Sequence, residues 1–349
     1  MKLGKFIPKI SIRTEVKYIK LPLNITLKPQ FNETAISSCA NFKKTITFIK
    51  KIMKELLELT KNSNVDELEK LVAERITETG DYHRSFWTNL NAPQLYRARI
   101  HNHLEGNVKE GILNSFVHEG EFWNPPAEYI KEFGRCNDLG QSLLYCSNSW
   151  ETAIAEVRPV EGDYLSMAVY RTKQDGLGSR ISPVGIQYLS QIESLAAGQM
   201  LEDYKISDKK EIIEMDNFLD ELFHLEVGNE EKYKYKLSIA VTNCLMKNIQ
   251  MGEALHAMHG IMYSSIVRDK KNYNLLLRPT HARTIYQLYQ VQTFKVIKSV
   301  GGKISLKLMR NGYTMGTKLH PLDFFEMYWE VVAESSDNYV EACFLMHCC

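Results

Sequence analysis

Apolar positions recur at threes and fours from about Ser37 to Thr79, where Phe42, Ile46, Ile49, Met53, Leu56 and Leu57 share one face of a predicted helix. The NSNVDE segment at 62–67 interrupts that pattern with turn residues and an N-cap, so a helical hairpin is predicted. Upstream, residues 1–34 carry short alternating segments broken by Pro8, Pro22 and Pro29, and read as irregular or strand-like. Downstream the period changes to two. Strands are predicted from Leu95 to Ile100, over LSMAVYRT (165–172) and over GIMYSSIV (260–267). A helix-like AEYIKEF (127–133) follows NPP (124–126), and a helical stretch runs from Ile192 to Met246. Alternation is most regular near the C-terminus, where VQTFKVIKSV, KISLKLM and YTM read as strands joined at Gly301-Gly302 and Asn311-Gly312. LDFFEMYWEVVAE (322–334) then reads as a closing helix. There is no internal repeat and no low-complexity segment.

One stretch breaks its own pattern. In GRCNDLGQSLLYCSNSWETAIAEVRP (134–159), Asn148 and Glu151 have the spacing of a capping box, and Trp150, Ala153, Ile154 and Val157 form a core face. Glu156 projects about 120° from that face, beside the small Thr152 and Ala155, and Pro159 stops the helix. This geometry permits either a solvated glutamate or a carboxylate leaning over a cleft.

Composition narrows the setting. The chain has 349 residues, enough for one large domain with appendages or for two. With 43 basic and 42 acidic residues there is no electrostatic argument for nucleic acid or a membrane surface. Seven scattered cysteines without a CxxC pair suit a reducing cytosol. The N-terminus lacks the apolar core of a signal peptide, and no apolar run approaches the roughly 18–20 residues of a membrane span, so a soluble cytoplasmic protein is expected. Several letter patterns carry no chemistry on their own. HNH (101–103) lacks the longer unit of a nuclease site, and His256 and His259 in HAMH lack the glutamate of a zinc-protease helix and read as helix-surface residues. Glu119-x-Glu121 lacks an upstream Ser-x-Ser strand, and the cysteines at the C-terminus have no zinc-site context, so no metal site is expected.

Three segments taken together, LYRAR (95–99), NPP…GRCN…G…LLY…ETAIAEVRP (124–159) and GIMYSSIVRDKKNYNLLLRP (260–279), resemble the RES-domain family, named for a recurrent arginine, glutamate and serine. The resemblance spans Leu95 to Pro279, over half the chain. It places the family arginine on Arg135, the glutamate on Glu156 and the serine on Ser265, closing Tyr-x-Ser from Tyr263. Tyr145 falls on the tyrosine of the LY strand, Arg97 on the early YR, and Asn137 and Asn274 on recurrent polar positions; Ser264 stands where many relatives have proline.

The resemblance implies an α+β protein. Its ADP-ribosyltransferase-like RES core would occupy 91–285, flanked by an N-terminal extension at 1–90, mainly helical from about 37, and a β-meander plus helix at 286–349. It further implies that NAD is a substrate rather than a cofactor, cleaved at the nicotinamide–ribose bond by water or inorganic phosphate. Such enzymes act as toxins of toxin–antitoxin pairs or in phage defence, so an antitoxin or regulatory protein is an expected partner. Glu156 would stabilise the oxocarbenium-like transition state, and Arg135 would grip the pyrophosphate through its planar fork. Ser265 and Arg97 would help hold the dinucleotide, with Asn137, Tyr263 and Asn274 beside them, and Tyr145 would pack on nicotinamide. The rival expectations are transfer of ADP-ribose to a protein target and a non-catalytic NAD-binding module.

Overall fold

Period-two alternation dominates the second half of the chain and builds one large sheet. A computed structural model describes residues 55–78, 88–101, 108–109, 112–113, 119–174, 178–189, 210–247, 249–251, 254–265, 272–300, 303–314, 327–331 and 339–343. The irregular reading of 1–34, most of the first predicted helix and Gly301-Gly302 lie outside these residues.

The first strands are β1 (Thr88–Leu90), β2 (Gln94–Ile100), β3 (Val108–Lys109), β4 (Ile112–Leu113) and β5 (Leu144–Ser147). β6 (Tyr164–Thr172), β7 (Ser179–Val184), β8 (Ile249–Met251), β9 (Ala254–His256) and β10 (Gly260–Ser264) follow. The last are β11 (Tyr273–Leu277), β12 (Tyr286–Val300), β13 (Lys303–Thr314), β14 (Met327–Val331) and β15 (Tyr339–Cys343). The helices are α1 (Val65–Glu78), α2 (Trp150–Val157), α3 (Ile186–Leu189), α4 (Lys210–Phe223), α5 (Tyr235–Leu245) and α6 (Pro279–Ile285). Eleven strands join in the order β1-β7-β10-β11-β5-β2-β6-β12-β13-β14, with β15 also pairing β13. The β7–β10 pairing is parallel, and the other pairings are antiparallel. The protein is therefore of the α+β class, with a mostly antiparallel sheet. Among the described residues no helix is long and apolar enough to cross a membrane.

Alternation sorts the strand side chains onto two faces. On one face Leu95, Leu144, Cys146, Tyr170, Met262, Leu275 and Leu277 form a continuous core with Phe122, Trp123 and α6. On the other face the core is divided. Tyr145, Ile261, Tyr263 and Leu276 join Leu68 of α1, Leu219 of α4 and Leu237 of α5. Tyr96, Ala98, Leu165, Met167, Phe294 and Leu306 join Ala153 and Ile154 of α2. Each fully buried leucine in these clusters contributes about 1.5–3 kcal/mol of transfer free energy. The divide falls between β5 and β2, which share one registered pair, Tyr96↔Ser147, whereas β2 pairs with β6 along its whole length. Close approach elsewhere keeps the sheet intact. A Cβ on Gly260 would stand 2.0 Å from the Leu276 carbonyl oxygen, so β10 and β11 can pair there only through glycine.

Local chemistry explains which predicted elements form. The turn at 62–67 is a capping box: Glu67 N donates to Asn64 Oδ1 (2.8 Å) and Asn64 N donates to Glu67 Oε2 (3.1 Å). The predicted strands at 95–100 and 165–172 form as β2 and β6, and the one beginning at 260 ends as β10 at Ser264. The stretch expected to be helical from Ile192 holds α4 and α5 among its described residues, separated by 225–228 and a 3-10 segment, Asn229–Lys234. β7 contains Pro183, which masks a strand signal; β1 covers only Ser179–Ile181, so among the described residues Pro183 has no partner strand on that side.

Three expectations are corrected. AEYIKEF forms a single 3-10 turn, Ala127–Tyr129, because Tyr129 is 74% exposed and the segment has no buried face to repay helix nucleation. Asn311-Gly312 is not a hairpin turn. β13 runs straight through it, pairing Asn311 with Gln292 on one side and Glu330 on the other. Two flanking ladders outweigh the local turn preference. The closing helix is replaced at Met327–Val331 by β14, whose short MYWEV sequence, rich in aromatic and β-branched residues, suits a strand as well as a helix. Val300 pairs with Lys303 across the Gly301-Gly302 link, and β12 continues the central sheet by pairing β6 from Tyr286 to Lys295.

Candidate functional site

The site begins with the turn from β5 into α2. The capping box expected from Asn148 and Glu151 is not the one formed. Ser149 is the N-cap: it is extended, and its Oγ accepts from Thr152 N at 3.2 Å. Asn148 Oδ1 instead accepts from Tyr273 N (2.9 Å), which ties the start of α2 to β11. At the other end Arg158 is left-handed (φ 48°), closing the helix through its N–H to Ile154 O before Pro159. That conformation costs a non-glycine residue about 1–2 kcal/mol. Thr152 and Ala155 are as buried as Ala153 and Ile154, so α2 is enclosed on nearly all sides. Glu156 is half-buried, and of its two open readings the cleft-facing one is found.

Asn274 Nδ2 donates to Glu156 Oε1 at 2.5 Å, and Ser147 Oγ donates to Asn274 Oδ1 at 2.7 Å. Glu156 lines two cavities. The smaller, about 170 Å³, opens at the β2–β5 divide and is walled by Tyr96, Arg97, Tyr145, Ser147, Tyr263 and Asn274 among others. The larger, about 560 Å³, is lined by Arg135, Glu156, Arg158, Glu226, Val227, Gly228 and Tyr235. Arg158 Nη2 and Glu226 Oε1 form an exposed ion pair (2.5 Å) within that lining. Arg135 Nη1 is buried with no hydrogen-bond partner among the described residues. Burial would lower this guanidinium, but Tyr263 and the Glu156 carboxylate outweigh it and hold the group above its ordinary value. A buried donor left unpaired costs about 1–3 kcal/mol, more when charged, so an acceptor entering the cavity would relieve it.

Arg135 is presented by a loop that its neighbours lock. Ser238 Oγ of α5 donates to Arg135 O. Cys136 N donates to Tyr145 OH (3.1 Å), and Tyr145 OH donates to Asn137 Oδ1 (2.8 Å). A Cβ on Gly134 would fall 2.2 Å from Asn137 Oδ1, so only glycine permits this closure. Asn137 therefore spends its carbonyl on holding the loop and is in neither set of lining residues. Burial pushes the Tyr145 and Tyr263 phenols well above their usual range, keeping both as neutral donors, and drives the Cys136 thiol up to about 12, where it is inert.

Arg97 and Ser265 stand apart. Arg97 lies between Tyr96 and Ala98 on β2 and belongs with Leu95 on the continuous face, where its Nη1 donates to Phe122 O (3.2 Å). It walls the small cavity, while its guanidinium is engaged on the far side of the sheet from α2. Ser265 is fully buried and belongs to neither lining, and its carbonyl accepts from His224 Nε2 (3.2 Å). Ser264 Oγ donates to Asp220 Oδ1 (2.6 Å) and lies 3.1 Å from His224 Nε2. This serine–histidine–aspartate group is a structural tie between α4 and β10. Ser264 is 0% exposed, and its proton points at the carboxylate rather than at the imidazole, the reverse of an activated nucleophile.

The structure thus brings together Glu156, Arg135, Tyr145, Tyr263 and Asn274, with Arg97 at the wall, and leaves Asn137 and Ser265 behind the site. Sequence reasoning missed Ser147, Tyr96, Tyr235, Arg158 and Glu226. Only Ser147 carried a signal, the alternation that sets it on the same face as Tyr145. The bland patterns also resolve. Glu119 Oε1 accepts from Trp123 Nε1 (3.0 Å). His256 ends a strand and His259 is not helical, so the HAMH pair is not on a helix surface. No cluster of metal-ligating side chains occurs among the described residues.

Set beside protein-family models and curated proteins, the chain matches none. Its fold and site define an α+β protein with a half-buried carboxylate lining two cavities, one of them also lined by an arginine whose Nη1 has no hydrogen-bond partner among the described residues.

Proposed function

We propose that the protein cleaves NAD at the nicotinamide–ribose bond, as the RES-family resemblance across Leu95 to Pro279 implies. The observation that carries the reading is Glu156 lining both cavities, with Arg135, whose Nη1 has no hydrogen-bond partner among the described residues, lining the larger one. In this reading the core is ADP-ribosyltransferase-like, and the dinucleotide lies across the divide between β5 and β2. Arg135 takes a pyrophosphate oxygen, which supplies the missing acceptor. The nicotinamide ring enters the small cavity beside Tyr145 and Tyr263. The C1′–N1 bond then breaks with its electron pair leaving on nicotinamide, and positive charge develops on the ribose. The Glu156 carboxylate stabilises that charge without moving. Oxygen from water or inorganic phosphate bonds to C1′, and its proton passes to solvent. An enzyme that depletes NAD must be restrained in its own cell, which fits a toxin governed by an antitoxin or another regulatory protein.

The test is to incubate pure protein with NAD, with and without phosphate, and identify products chromatographically. Release of nicotinamide with ADP-ribose or its 1″-phosphate is expected. No release under either condition, nor with cell extract added, defeats the reading.

A further inference from the structure

We infer that Asn274 is a positioning residue for Glu156, its amide oriented by Ser147, rather than a residue that binds substrate; the inference rests on the proposed role of Glu156 in NAD cleavage. Both polar ends of Asn274 are used inside the protein. Ser147 Oγ donates to Oδ1 (2.7 Å), so the amide nitrogen is the end left to face Glu156, to which it donates at 2.5 Å. With the amide turned over, its oxygen would meet the carboxylate and repel it. Both residues of the relay are buried, Ser147 at 3% and Asn274 at 2% exposure.

The relay also sits where the sheet is stitched. Ser147 registers with Asn274 of β11 on one side and with Tyr96 of β2 on the other, the single pair joining β5 to β2. The Tyr273 N–H to Asn148 Oδ1 bond anchors the first residues of α2 to the same strand. Glu156 is thereby aimed by two strands and a helix start rather than by a loop. The choice of an amide has a chemical reason. A neutral donor steadies the ionised carboxylate and leaves its full charge for the developing oxocarbenium ion. A lysine or arginine in that place would cancel the charge.

Asn274→Asp separates this role from a structural one. Two carboxylates at that distance share a proton, and the singly protonated pair reproduces the amide hydrogen bond. Nicotinamide release should fall on the order of 10²-fold at neutral pH. It should recover as acid protonates the pair, giving the pH profile a descending basic limb that the native protein lacks. Ser147→Ala should lower kcat by roughly 10-fold with little change in KM, and Ser147→Thr, which keeps the hydroxyl, should restore it. The titratable groups that line the two cavities with Glu156 are Arg97, Arg135, Tyr96, Tyr145, Tyr235 and Tyr263, with the buried Cys146 beside them and Glu226 paired to Arg158 across the wide cavity. A readout independent of activity is carbon-13 NMR of the glutamate carboxyls in ligand-free protein. In Asn274→Asp the Glu156 signal should titrate in two coupled steps. Equal loss of activity at every pH, or a Glu156 titration unchanged by Asn274→Asp, overturns the inference. If native protein releases no nicotinamide, the NAD reading falls, and the NMR titration still decides whether Asn274 governs Glu156.

Discussion

The two faces of the central sheet differ in one respect that orders the rest of the molecule. One face is covered without interruption, from Leu90 through Tyr170 to Leu288. The other is split between a helical cluster on β5, β10 and β11 and an α2 cluster on β2, β6, β12 and β13. Unbroken apolar packing gives stability, and a charged group on that face, such as Arg97, is engaged by the protein's own Phe122 carbonyl. The split lets the buried Ser147 and Asn274 hold a Glu156 that, like Arg135 on its locked loop, remains only partly desolvated. Stability should therefore depend most on the continuous face, and chemistry on the divided one.

The comparison breaks most visibly at Leu144, which is 1% exposed on β5 and points away from the site. Leu144→Ala should cost about 2–5 kcal/mol in denaturant unfolding, from lost transfer energy and the cavity left behind. NAD turnover by the protein still folded should be little changed. A selective loss of turnover without loss of stability would show that the faces are not separable.

On the divided face, Arg135→Lys should leave unfolding nearly unchanged. It should raise KM for NAD by roughly 10-fold, because an ammonium cannot make the two-pronged contact of a guanidinium. Unchanged kinetics would make Arg135 a structural residue.

The smallest effect belongs to the far edge of the sheet, where His259 and His281 stack at 3.6 Å. Burial, His259 and Arg180 lower His281 to about 4, and burial, Arg180 and Arg278 lower His259. The unfolded chain, titrating near 6.5, binds more protons than the folded one below that pH. Stability is then full above about pH 6.5 and falls as the pH drops toward 4. Discounted for solvent screening, the loss is about 1–2 kcal/mol. His281→Asn should flatten that part of the stability–pH curve; an unchanged slope would remove this pair as its source.

How far these features were legible follows from where their determinants lie. β2 and β6 could be read because their alternation is contained in each strand. Glu156 was conspicuous as the charge within AIAEV, but its direction depended on what covers Thr152 and Ala155, which no local pattern states. Adjacent Asn148 and Ser149 are equally good N-caps, and Tyr273, 125 residues away, decides between them by taking the Asn148 side chain. The Ser147–Asn274 bond spans 127 residues and needs the β5–β11 register. The face taken by Arg97 was illegible for the same reason, since it becomes known only once Leu95 is seen packing beneath the sheet. At Asn311-Gly312 a strong local turn signal lost to β12 and β14, two partners that a linear reading could not place on either side.

The central claim is that the Glu156 carboxylate stabilises positive charge on a ribose. Its most direct test is the rate of nicotinamide release by Glu156→Gln beside the native protein, with unfolding measured on both. The side chain keeps its length and its place beside Asn274 but loses its charge. The rate should fall about 10²–10³-fold while stability shifts little. A variant that releases nicotinamide at the native rate would contradict the account and return Glu156 to the role of a half-buried surface residue.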